Sequence, residues 1–123
     1  VIARRAWNAE AERDLARSAG RDMAVIRRQV QADVAMLWEC ESDRNHAWCV
    51  TRLDADEAGA EWVIVLFEGS GLHEFVPLFV EAADSRGLPL RAHLNARRPG
   101  LKRMAARYGF EVTELVVRRR DEQ

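Results

Sequence analysis

Apolar and polar positions along the chain change period several times, and each change marks an element. From Asn8, an N-cap residue followed by acidic side chains, Leu15, Ala19, Met23, Ile26, Val30 and Val34 recur at spacings of three and four, which predicts one helical face. Gly20 interrupts that face and costs about 1 kcal/mol relative to alanine, so a break is expected near Ser18-Ala19-Gly20. Val1 to Trp7, β-branched at its start, reads as a short edge strand. Met36 to Glu41 and His46 to Leu53 flank the polar Ser42-Asp43-Arg44-Asn45, the pattern of an antiparallel hairpin with a four-residue turn. Asp54 to Ala60, acidic and containing a glycine, is the expected exposed connection to the next strand.

That strand, Trp62 to Phe67, is apolar at every position, as expected of a central strand covered on both faces. The turn Gly69-Ser70-Gly71 follows it. Leu72, Phe75, Val76, Phe79, Val80 and Ala83 then form the stripe of an amphipathic helix. Pro77 is costly deep inside a helix, so the first turn is expected around His73, with Gly87 ending the helix. Leu90, Ala92 and Leu94 alternate with Arg91, His93 and Asn95, predicting a strand with one wetter face. Pro99 to Tyr108 reads as a last helix, stopped at Gly109-Phe110, and Val112 to Val117 as a last strand. The whole chain, residues 1–123, is predicted to be one domain. Its strand pair on either side of a crossover helix is parallel, and ligands commonly sit at such an opening.

Composition narrows the function classes. With 48% hydrophobic and 32% charged residues over 123 positions, the chain is an ordinary globular domain that needs neither metal nor disulfide to fold. No apolar run spans a bilayer, which makes a cytoplasmic protein the expectation. Cys40 and Cys49 are expected to be small buried thiols. Net charge is −1, but residues 84–123 carry +5 and the rest −6. Arg97, Arg98, Lys102, Arg103, Arg107 and Arg118 to Arg120 could make one basic face for a phosphate group, nucleic acid or an acidic protein, or simply a solvated surface. Aromatics do not interleave with them, so nucleic acid is not the expected partner. The helical seam of residues 15–34 packs on the sheet or, alternatively, forms a homodimer face.

Candidate chemistry gathers at the opening. Gly69-Ser70-Gly71 either cradles an anion at the start of a helix or only turns the chain. His93, on the wetter face of its strand, is a base of near-neutral pKa or a structural histidine. His73 is read as a solvated first-turn residue, and the four tryptophans as core or sheet-face residues. Cys40, Cys49, His46 and His93 show no metal-ligand spacing, and no metal is expected.

This order of elements resembles the GNAT (Gcn5-related N-acetyltransferase) fold over nearly the whole chain. Its most specific local piece is Arg97-Arg98-Pro99-Gly100-Leu101 through Tyr108-Gly109-Phe110, which is similar to small acetyltransferase-like proteins encoded by bacteriophages. The resemblance implies an α/β fold: a mixed twisted sheet, made of an antiparallel meander and a splayed parallel pair, with helices on both faces. It also implies an acyl-CoA-dependent N-acyltransferase, acetyl-CoA as cofactor and an amine acceptor. In such enzymes a Gln/Arg-x-x-Gly-x-Gly/Ala loop holds the pyrophosphate. Here the matching stretch is Glu68-Gly69-Ser70-Gly71-Leu72, shorter and without the Arg or Gln. The cofactor contacts so implied are Leu66, Phe67, Gly69, Ser70, Gly71, Leu72 and Asn95, with Glu68 and His93 as catalytic candidates. A tyrosine acid used by many members is Ala105 here. The alternative is a catalytically inactive GNAT-like module, a phage-type structural or interaction protein that binds a partner through the basic face.

Overall fold

In the computed structural model, residues 1–92 are described. The predicted Pro99 to Tyr108 helix and Val112 to Val117 strand, together with His93, Asn95, Ala105 and the basic residues from Arg97 onward, lie outside the described residues.

Five strands, β1 (Ile2–Arg5), β2 (Ala35–Glu41), β3 (His46–Asp56), β4 (Gly59–Gly69) and β5 (Leu90–Ala92), lie side by side in chain order. The first four pair antiparallel, whereas β4 and β5 are parallel, with Trp62 opposite Leu90 and Ile64 opposite Ala92. Helices α1 (Ala9–Ala19) and α2 (Met23–Gln31) cover one face and α3 (Leu72–Ser85) the other. The mixed sheet with helices on both faces is the predicted architecture.

Alternation explains which side chain faces which helix. On β3, Trp48 and Val50 join Leu15, Ile26 and Val30 of the first helices, while Ala47 and Cys49 pack with Phe75, Val76 and Phe79 of α3. On β4 the alternation slips. Trp62 and Ile64 face α3, and so does Phe67, while Val65 and Leu66 both pack toward α1 and α2. Val50 pairs with Leu66 but Thr51 with Ile64, so Val65 is the extra residue of a β-bulge.

Helix α1 begins where expected. The Asn8 side chain accepts the Ala11 N–H at 2.9 Å, and Asn8→Ala should lower stability by about 1 kcal/mol in a urea titration. The break at Gly20 is real: its φ is +53°, and a 3-10 turn, Gly20–Asp22, separates the two helices. The helical face stops short of Val34, because α2 ends at Gln31 and Asp33 turns left-handed (φ +60°), leaving Val34 exposed.

Two other expectations need correction. Asp54 to Ala60 is exposed over residues 55–59 as expected, but it is mostly strand rather than a connection: β3 runs to Asp56, β4 starts at Gly59, and only Glu57 and Ala58 turn between them. The Asp56 carboxylate accepts the Ala58 N–H at 2.8 Å, and Gly59 supplies φ +132°. Helix α3 begins at Leu72, where its apolar stripe begins, but Pro77 lies inside it rather than in its first turn. Gly87, at φ +64°, closes the helix as predicted, with the Leu88 N–H on the Ala83 carbonyl.

Candidate functional site at the start of α3

The end of β4, the glycine turn and the first turn of α3 form one unit anchored on the β2–β3 hairpin. The Ser70 N–H donates to the His46 carbonyl (3.0 Å), and the Ser70 hydroxyl accepts the His46 N–H (3.1 Å). At the hairpin tip the Ser42 hydroxyl and the Asn45 amide both donate to Glu74 Oε1 at 2.8 Å. Those hydrogen bonds, Asn45 first, hold the Glu74 carboxyl below its ordinary range. The clamp joins residues about thirty apart, a relation that no local pattern carries.

Both glycines are required by this packing. Gly69 has φ +129° and Gly71 φ +89°, and a side chain on Gly71 would press on Asn45 and Phe75, each 2.7 Å from the added carbon. The shape of the turn is therefore set by the protein's own hairpin. Around it, the N–H groups of Gly71, Leu72 and His73 have no partner among the described residues, as befits the opening turn of a helix. Leu72 itself is buried in the core, His73 is exposed, and Phe67 points into the α3 side.

Glu68 is turned away from this helix start. Phe67 faces α3, so its neighbour faces α1, where the Glu68 carboxylate accepts a hydrogen bond from the Ser18 hydroxyl. Ser18 carries no signal in the sequence, since the two residues are fifty positions apart. Leu66, next to the bulge, is half-buried on the same side. The structure thus brings Phe67, Gly69, Ser70, Gly71 and Leu72 together at the α3 end and sets Glu68 and Leu66 on the opposite face of the strand.

A second polar group lies beside α1. His46 Nε2 is 2.8 Å from Glu39 Oε2, Arg5 donates to Glu39 Oε1 at 3.0 Å, and Glu10 brings a third metal-capable side chain, the ligand atoms of Glu10, Glu39 and His46 lying within 4.8 Å of one another. Spacing along the chain could not reveal this group, because its members come from three elements. Glu39 is held by ion pairs with Arg5 and His46. Hydrogen bonds from His46 and then Arg5 depress the Glu39 pKa below 4.5. A carboxylate depressed on folding adds stability above its ordinary range and loses it as pH falls through the folded value. Glu39→Gln should therefore lower stability at neutral pH, leave it little changed in acid well below the ordinary carboxylate range, and so flatten the acid side of the stability profile, as read by denaturant midpoints.

Cys40 and Cys49 are free and fully buried, with the Cys40 thiol pushed up to about 12 by burial. Neither is a nucleophile. Among the described residues no helix is long and apolar enough to cross a membrane.

The fold is that of the GNAT acetyltransferases. A solved structure of a probable acetyltransferase superposes with a TM-score of 0.63 at 8% identity, covering 99% of each chain. The aminoglycoside antibiotic 6'-N-acetyltransferase of Acinetobacter haemolyticus gives 0.55 at 12%, covering 100% of this chain and 99% of its own. The ribosomal-protein-alanine N-acetyltransferase of Brucella melitensis gives 0.55 at 13%, with 96% and 99% covered. At these identities the likeness is one of fold. No family model and no curated protein matches the sequence.

Proposed function

We propose that this chain is an N-acyltransferase that moves an acetyl or other acyl group from a CoA thioester to an amine. The observation that carries the reading is the turn of Glu68 onto Ser18, which removes its carboxylate from the start of α3 and leaves the Gly71, Leu72 and His73 N–H groups for an anion. Gly69, Ser70, Gly71 and Leu72 would hold the pyrophosphate of acetyl-CoA, although the Ser70 N–H is already spent on His46. The backbone of Leu66 and Phe67, just past the bulge, would line the acyl arm, and Asn95 is a further contact that the resemblance implies.

The amine lone pair attacks the thioester carbonyl; a C–N bond forms, the C–S bond breaks, and the sulfur leaves as thiolate. The proton lost by the amine goes to Glu68, oriented by Ser18, with His93 as the other candidate base. Positioning of the two reactants supplies the larger share of the rate.

The second reading is an inactive module that keeps the fold for binding, through the basic face that begins at Arg97. One observation favours it: Gly69 and Gly71 are explained by the hairpin alone and do not need a phosphate. The two separate in an assay of thiol release from acetyl-CoA across a panel of primary amines. Release that depends on the amine supports the enzyme; none from any amine, by protein that is folded, supports the module.

A further inference from the structure

On the α1 side of the sheet, side chains with metal-binding atoms converge from three elements. Glu39 of β2 pairs with Trp48, and His46 opens β3 two residues earlier, so the two stand diagonally on one sheet face. Trp48 and Val50 show that this face is the one under α1 and α2. Glu10 comes down from the first turn of α1. One turn further along that helix Asp14 accepts the Trp48 indole N–H at 3.2 Å, which fixes α1 over β3.

The spacing suits a shared ion. His46 Nε2 and Glu39 Oε2 are 2.8 Å apart, close to the separation of about 3 Å between neighbouring ligands on metal bonds of about 2.1 Å. Glu10 lies within 4.8 Å of both, and its exposed side chain can close that distance by turning. Arg5 holds the other oxygen of Glu39, Oε1, at 3.0 Å, the outer hydrogen bond that carboxylate ligands commonly carry. Glu10, by contrast, makes no hydrogen bond or ion pair among the described residues, although it faces a second carboxylate. A divalent cation between them turns that like-charge approach into attraction.

We infer that Glu10, Glu39 and His46 form a binding site for a divalent transition ion of the zinc class, with water completing the coordination. One imidazole with two carboxylates is a donor set for such ions, whereas magnesium and calcium take oxygen ligands. His46 Nε2 then binds the ion in place of its hydrogen bond to Glu39, with the imidazole proton on Nδ1. The thiols of Cys40 and Cys49 are fully buried and do not compete. Such an ion ties α1 to the β2–β3 hairpin. The assignment does not depend on how the Gly69-Ser70-Gly71 turn is used.

The test is a calorimetric and thermal-shift titration of the whole, untagged chain with Zn²⁺, and separately with Mg²⁺, after dialysis against a chelator. Zn²⁺ should bind as a single ion per chain with a Kd of about 10 μM and raise the melting temperature, while Mg²⁺ should not bind at about 1 mM. Glu10→Gln, at an exposed helix position, should weaken Zn²⁺ binding about tenfold, and His46→Gln about a hundredfold. His73→Gln, at an exposed histidine on α3, should leave it unchanged. The rings of His46 and Trp48 meet edge-on with centroids 5.6 Å apart, so Ni²⁺ in this site should quench a fluorescence component that Trp48→Phe removes. The proposal is overturned by no saturable Zn²⁺ binding at about 100 μM, by equal binding of Mg²⁺, or by binding indifferent to Glu10→Gln. It is equally overturned if His73→Gln removes the binding or if Ni²⁺ leaves Trp48 unquenched.

Discussion

Gly69→Ala should destabilise the chain by about 3–5 kcal/mol, a large share of the stability of a domain this size. An added Cβ would stand 2.4 Å from the His46 carbonyl oxygen, 2.6 Å from the Ala47 Cα and 2.9 Å from its Cβ. These are atoms at the start of β3, where Ala47 and Gly69 form the last pair of the β3–β4 ladder, so relief requires the strand ends to part rather than a side chain to turn. The φ of +129° adds a backbone penalty of about 1–3 kcal/mol. Gly59→Ala separates the two contributions, because Gly59 has nearly the same φ, +132°, with no atom within 4 Å of the added carbon. In parallel urea titrations Gly59→Ala should cost only the backbone part. Equal losses for the two variants would show that the approach of the hairpin to the turn is not as tight as described.

Glu68→Gln should lower kcat/KM for acyl transfer by about a hundredfold or more and leave acetyl-CoA affinity unchanged. Glutamine can still accept the hydrogen bond of the Ser18 hydroxyl, so the local structure stands while the proton acceptor is gone. Because the side chain faces α1 and not the start of α3, its loss should not touch the anion-binding end. Ser18→Ala, which frees the carboxylate without removing it, should have a smaller effect. A rate that survives Glu68→Gln assigns the proton to another group, and His93 is then the residue to change.

What the sequence displayed well was periodicity. The stripe Leu72, Phe75, Val76, Phe79 and Ala83 is the buried face of α3, and Leu15, Ile26 and Val30 are the buried face of α1 and α2. The hairpin around Ser42 to Asn45 was legible because polar turn residues separate two β-rich runs. The bulge at Val65 was not, since a strand that is apolar at every position hides a change of face. Asp54 to Ala60 misled because acidic residues and a glycine usually mark loops, whereas here Arg52 and Arg91 pair with Asp54, Arg91 reaches Glu61, and the strand continues between them. The site fared worst for a physical reason. The Ser18 to Glu68 bond, the Ser42, Asn45 and Glu74 clamp, and the group at Glu39 are contacts between distant elements, set by how helices and sheet pack rather than by any spacing.

The packing of Gly69 and Gly71 also changes what their presence means. Glycines at a strand-to-helix turn suggest close approach of a phosphate, but here they admit the hairpin. A ligand must then rest on the donors of Gly71, Leu72 and His73 at the helix end. Calorimetric titration of the folded chain with acetyl-CoA asks whether it does. The acyltransferase account predicts saturable binding with a Kd in the micromolar range, about −8 kcal/mol, and a melting temperature that rises with ligand. No heat and no thermal shift with acetyl-CoA at about 1 mM would contradict it.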